Sequence, residues 1–477
     1  MAVLYLICST ALFAQHVVEG HYGRAGLDVA YAAAATSDGG YIITGLTKSE
    51  VDSNGDIVVI KTTSHGDTSW AHTYGGPFLE GGNFVMQLSG GGYMVCGHTQ
   101  DFGAQYCNVY LMQLDDLGNF QWIKTYGGDS DDVGFSAVPL IGGGYMVGGM
   151  TKSYGYGDTG GGVMVHAYFI KTNSMGDSLW TKVYSGTGNE ECYSITTIAD
   201  SEFLAVGYTS SFGSGEDDGW LLRLNTNGDT LWTKLYKTAG SNTQLIKILP
   251  TLDGGYIITG TISPIGASGM YQGIAIKLDA SGSQVWQKVY SDSENITLRD
   301  VAQLPSGDFM FTGSKFVTPT TGNVYIMTTD VNGVKLSDET CGGTNSYAYA
   351  IAVQGNNSYL VAGGAAKYGD PNGDLYYMEM DNTVSANVKN KTAPSPSARI
   401  YPNPIKDQPA IIILPASAAG QDVNFEVMTM DGKVIDSKNN IPAEDIVVNG
   451  SNYPAAMYLF RVTCKDGTVY KGKFVVE

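Results

Sequence analysis

The octapeptide DGGYIITG stands at Asp38–Gly45 and returns unchanged at Asp253–Gly260. Chance does not repeat eight residues, and weaker copies fill the interval and extend it. GGGYMVCG ends at Gly97, GGGYMVGG at Gly149, DSEFLAVG at Gly207, SGDFMFTG at Gly313 and NNSYLVAG at Gly363. Seven copies, 50 to 58 residues apart, define a modular chain whose units bury their apolar faces against one another.

One unit reads as four short strands. DVAYAAAATSDGG runs into a glycine turn, YIITGLT is apolar and β-branched, DIVVIKTTSHGD alternates into a second glycine turn, and SWAHTYGG closes the unit. Gly66, Gly118, Gly176, Gly228, Gly282 and Gly333 hold the later turn. Trp70, Trp122, Trp180, Trp232 and Trp286 follow four residues on, and Tyr74, Tyr126, Tyr184, Tyr236 and Tyr290 four beyond those. The sixth unit places Ser337 and Cys341 in these columns. Four strands per unit with no sustained helical period is the pattern of a propeller blade.

The seventh unit lacks its last strand, and HVVEGHYG at the other end of the chain supplies one, with Val18 and Tyr22 in the Trp and Tyr columns. The expected fold is therefore all-β: a seven-bladed β-propeller over residues 15–388, closed by its N-terminal strand so that no open edge remains. Gly at 63 of 477 residues, with 31 Tyr, fits many tight turns. The repeating Trp after a glycine turn, as in LDASGSQVW, resembles the tryptophan-docked blades of quinoprotein-type propellers. It is also similar to the DGGYI repeats of secreted Bacteroidetes proteins.

Residues 389–397 form a polar, proline-bearing linker, and 398–477 a second domain. Its strands are joined by hairpins at Asp431–Gly432 and Asp466–Gly467. YPNP near its start, MDGKVI in the middle and KGKFVV at its end resemble the C-terminal sorting domain of the Bacteroidetes type IX secretion system, a small Ig-like β-sandwich. Met457 stands where that pattern has glycine, and the chain ends on Glu477. The resemblance implies a type IX secretion machinery as partner and a secreted or surface location. MAVLYLICSTALFA, residues 1–14, reads as a secretory signal without a basic start, too short for a transmembrane anchor. Five cysteines remain beyond it; Cys96 and Cys107 either bridge a hairpin or stay as buried thiols.

A formal net charge of −19 argues against nucleic acid and anionic membrane surfaces as partners. The six histidines have no metal spacing, no G-x-S-x-G elbow occurs, and GDTLW spaces its Trp one residue too far for a sialidase-type Asp box. Quinone-dependent dehydrogenases carry adjacent cysteines, absent here. No cofactor is expected. The exception is calcium at DSNGD (Asp52–Asp56) and DPNGD (Asp370–Asp374), the alternative being that the polar column Asp56, Asn108, His166, Asp218, Gln272, Asn323 and Asp374 caps turns.

Loops between second and third strands share a face with the links between blades, and they vary while the other turns are uniform. Phe102, Tyr154, Phe212, Ile265 and Tyr368 recur there, each followed by Gly. They either pack between blades or form a ligand-gripping ring. The expected ligand site is the face carrying Phe102, Tyr106, Tyr154, Tyr156, Phe212 and Tyr368, with a glycan or protein as ligand. A non-catalytic binding or adhesion module is the favoured reading; a glycoside hydrolase or lyase is the alternative.

Overall fold

The computed structural model describes residues 16–22, 27–48, 54–102, 106–155, 164–198, 202–266, 270–291, 295–318, 321–342, 345–355, 358–365 and 373–381 of a first compact unit. Of a second it describes 399–401, 405, 409–414, 421–429, 433–443, 446–465 and 469–476. The signal segment, the linker, Tyr156 and Tyr368 lie outside the described residues.

Seven four-stranded antiparallel sheets make up the first unit. Blade one is Val29–Ala35, Tyr41–Thr47, Asp56–Thr62 and Thr68–Tyr74, strands hydrogen-bonded in chain order. The two middle strands are almost wholly buried and the fourth is half exposed, because each blade is sandwiched between its neighbours at its centre and meets water at its outer edge. Apolar residues therefore run continuously along the middle strands, as in Ile57–Ile60, instead of alternating. The core is divided among blade junctions: Met94, Cys96, Val109 and Leu111 of blade two pack on Ala137, Val147, Tyr168 and Ile170 of blade three.

The Trp column is what links the outer edges. Gly118 adopts φ +80°, and a Cβ on it would meet the Trp70 ring at 2.8 Å, so the indole of one blade packs against the glycine turn of the next. Trp122, Trp180, Trp232 and Trp286 meet Gly176, Gly228, Gly282 and Gly333 in the same way. The Tyr column adds a hydrogen bond: Tyr126 Oη donates to Gly176 O (2.5 Å) and Tyr290 Oη to Gly333 O (2.9 Å), with Tyr74 and Tyr184 bonded alike to Gly118 and Gly228. In blade four Lys234 Nζ donates to the Gly282 carbonyl instead, at 2.8 Å, and the Tyr236 hydroxyl has no partner among the described residues.

Blade seven is Ser346–Val353, Tyr359–Ala365, Asp374–Asp381 and His16–Tyr22; His16 pairs opposite Asp381 and Tyr22 opposite Leu375. The N-terminal strand closes the ring, as the column alignment requires. It does so without a docking Trp. Tyr377 reaches past the closing strand and donates to Gly66 O of blade one at 3.2 Å, with Thr68 Oγ1 3.1 Å away. Gly20, directly opposite Tyr377, makes room: a Cβ there would fall 2.0 Å from the ring.

Cys96 and Cys107 are both free and buried. Cys96 lies opposite Leu111 in the ladder, which leaves Cys107 before the strand and out of register for a bridge.

The second unit packs Val434–Pro442, Asp422–Met428, Ala456–Cys464 and Val469–Val476 as one sheet, and Arg399–Tyr401, Ala410–Ile413 and Val447–Val448 as another. Both expected hairpins join paired strands, with Met428 opposite Val434 and Thr463 opposite Val469. Phe425, Tyr458, Phe460 and Phe474 fill the core, and Gly472 of KGKF is small because a Cβ would strike the Phe460 ring.

Candidate functional site

Every innermost strand carries one β-bulge. The ladder skips a residue between Ala30 and Ala32, Gly82 and Phe84, Gly134 and Ser136, Cys192 and Ser194, Leu245 and Lys247, Leu298 and Asp300, and Ala348 and Ala350. The extra residues are Tyr31, Asn83, Phe135, Tyr193, Ile246, Arg299 and Tyr349. A bulge adds local twist and re-aims a side chain. Repeated seven times at one height, it turns these side chains into the channel at the ring's centre. All seven line a cavity of ≈ 280 Å³.

The ring is largely aromatic. Tyr31 and Tyr349 meet edge to face at 5.5 Å, Phe135 and Tyr193 at 5.4 Å, and the Arg299 guanidinium lies 5.9 Å from the Tyr349 ring. Asn83 Nδ2 donates to Gly134 O at 2.9 Å, fixing its amide across the junction with blade three. Two residues before the bulges at Tyr193 and Ile246, the innermost strands carry polar residues, Glu191 and Gln244. Tyr208 Oη donates to Glu191 Oε1 (3.1 Å), and Gln244 Nε2 to Asp217 Oδ2 (3.1 Å). Burial raises the Glu191 carboxyl above its ordinary range, against hydrogen bonds from Tyr208 and Tyr193 that pull it down. His98, beside Gly81, is pushed down to about 4 by burial and is neutral at physiological pH. Lys247 and Asp300 line both this cavity and a second of ≈ 350 Å³ walled by Ala33–Ala35, Leu249 and Val353.

Of the expected site residues, the four that are described, Phe102, Tyr106, Tyr154 and Phe212, do not line this cavity. Tyr154 Oη donates to Gly127 O at 2.7 Å and its ring lies 6.0 Å from Tyr168; the Phe212 ring lies tilted, 5.8 Å from Trp220. Both thus pack at blade junctions while remaining 41% and 45% exposed. Phe102 and Tyr106 are exposed to the same degree, and Phe102 holds a left-handed φ of 55°. The glycines that follow have their own reason. A Cβ on Gly155 would enter the His166 ring, and one on Gly213 would meet the Asp218 carboxylate at 2.0 Å. In the polar column Asp218 caps its own loop, accepting from Ser214 N (2.7 Å), while His166 reaches the next blade, its Nδ1 3.2 Å from Glu190 Oε2. Among the described residues no His, Cys, Asp or Glu group is arranged to hold a metal; Asp52 and Asp370 lie outside them.

The bulged column is the feature that sequence reasoning missed. Each member stands ten residues before the aromatic of the repeated octapeptide, as Tyr31 does before Tyr41 and Arg299 before Phe309.

Residues 399–477 match the secretion system C-terminal sorting domain family. With the fold, this makes the chain a seven-bladed β-propeller exported by the type IX secretion system, located outside the cell or on its outer surface. No described helix is long and apolar enough to cross a membrane. No curated protein matches the sequence. Among solved structures, the chain is similar to the quinohemoprotein alcohol dehydrogenase ADHIIG of Pseudomonas putida HK5, at 10% identity over 76% of this chain and 68% of that one (TM-score 0.38). It is similar also to the Pan2 WD40 domain of Neurospora crassa, at 9% over 74% and 89% (TM-score 0.45). A third is a protein of unknown function from Dyadobacter fermentans, at 11% over 76% and 97% (TM-score 0.43). At these identities the likeness carries nothing about activity.

Proposed function

We propose that this protein is a non-catalytic extracellular binding module that grips a glycan at the link-face mouth of its central channel. The observation that supports it is the ring of seven bulged side chains, four of them Tyr or Phe, converging on one cavity. Aromatic faces with hydroxyl edges suit the apolar faces of sugar rings, and the polar mouth of Glu191, Tyr208, Asp217 and Gln244 offers partners for their hydroxyls. Phe102, Tyr106, Tyr154 and Phe212, with Tyr156 and Tyr368, are proposed as a surrounding rim that meets the rest of a longer ligand.

A glycan array on the purified full chain, paired with a polysaccharide-degradation screen, tests this. Binding without product formation is the expected result. Tyr193→Ala should then weaken binding by about 1–3 kcal/mol, while Tyr154→Ala, at the rim, has a smaller effect. Release of oligosaccharide products would instead make the protein an enzyme.

A further inference from the structure

One channel residue is out of place in an acidic chain. Arg299 is the sole charged member of the bulged ring, in a protein of net charge −19. It is exposed within the cavity, and among the described residues its guanidinium has no hydrogen-bond or ion-pair partner. Its neighbour Asp300 is not a counter-ion to it. That carboxylate accepts from Val301 N (2.8 Å) and Ile351 N (3.0 Å) and faces Lys247 Nζ at 3.7 Å. The guanidinium lies 5.9 Å from the Tyr349 ring, itself braced by Tyr31, and the side chain lines the cavity.

We infer that the channel recognises a sugar acid: one carboxylate on the Arg299 fork, with the sugar ring stacked among Tyr31, Tyr193 and Tyr349. This rests on the channel being the binding site proposed above, and it names the ligand's chemistry. A planar guanidinium without a partner matches a carboxylate through two parallel hydrogen bonds. The mouth restricts the rest of the ligand. The Glu191 and Asp217 carboxyls, each already accepting one side-chain hydrogen bond, offer further acceptor oxygens to hydroxyls, so the rest of the ligand is a hydroxylated body. A volume of ≈ 280 Å³ holds a group of monosaccharide size, with the remainder of a chain leaving through the mouth.

The experiment is calorimetric titration of the full-length protein and its Arg299→Gln variant. The probes are a glucuronate-terminated trisaccharide, the same trisaccharide ending in glucose, and acetyl-glutamate amide. The expected result is binding of the acid trisaccharide at least about tenfold tighter than the neutral one. R299Q abolishes that preference at an unchanged unfolding temperature, and the peptide analogue binds weakest. Equal affinity for the two trisaccharides overturns the inference while leaving the channel a glycan site. Tightest binding of the glutamate analogue overturns it in favour of a protein ligand. Absence of binding by all three overturns it as well, and the binding-module reading then stands or falls separately on the array.

Discussion

Lys61 and Lys277 have side chains only 5% and 6% exposed, and each ends on the aspartate of a DGG turn at 2.8 Å, Asp38 and Asp253. Both ammonium groups also donate to a strand-end carbonyl, of Thr62 or Leu278, and each aspartate accepts from the threonine two residues before it. The two identical octapeptides thus belong to the two blades that tie a buried lysine to this turn. The Lys277 ammonium, then the Thr251 hydroxyl, hold the Asp253 carboxyl down to about 2, below its ordinary 3.8. A depressed folded-state value means stability that is present above pH ~4 and lost as pH falls through ~2. Asp253 faces solvent, which screens the pair, so Asp253→Asn should cost about 1 kcal/mol at pH 7. Denaturant unfolding at pH 7 and at pH 2 should show that difference shrinking toward nothing in acid. At this scale the sequence displays conformational demands better than contacts. Gly118 and Gly40 are legible because a turn leaves no alternative to glycine. The bulged column is not, since Tyr, Asn, Ile and Arg share no chemistry and a bulge is a property of the backbone.

The strand is the scale at which the pattern spoke most clearly, because a period of one blade carries each column past the reader seven times. The four-strand layout, the docking Trp and the exchange of the outermost strand all follow from columns. What the columns could not give is how the closing junction holds without Trp. Val18 stands in the Trp column, so docking had to come from elsewhere, and Tyr377 on the neighbouring strand supplies it across Gly20. Gly20→Ala should therefore destabilise the propeller by about 1–3 kcal/mol through overpacking, read as a shift in denaturant midpoint. Adding Tyr377→Ala should return part of the loss, since the clash is removed even though the bond to Gly66 goes with it. A double mutant no better than the sum of the two singles would mean that Gly20 serves another need.

For the molecule as a whole, address and cargo are separate compact units, Asn387–Glu477 and Met1–Ala386. The address should then work alone: residues 398–477 fused to a periplasmic reporter, in a host with the type IX system, should appear outside the cell. A folded fusion retained in the periplasm would count against that autonomy. The sorting domain was readable from short motifs whose residues have local duties, such as Gly472 under the Phe460 ring. The central channel was not, because seven separate strands contribute one side chain each to it.

The pairing of His16–Tyr22 with Leu375–Asp381 also works as a test of completeness. His16–Tyr22 wait for nearly the last residues of the propeller before the ring exists, though each doubling of the intervening loop adds only about 0.6 kcal/mol of entropy. A chain cut short anywhere in the seventh blade loses the partner of its first strand, and with it the address that follows. Such a copy lacks both the strand on which His16–Tyr22 completes the last blade and the sorting domain beyond it.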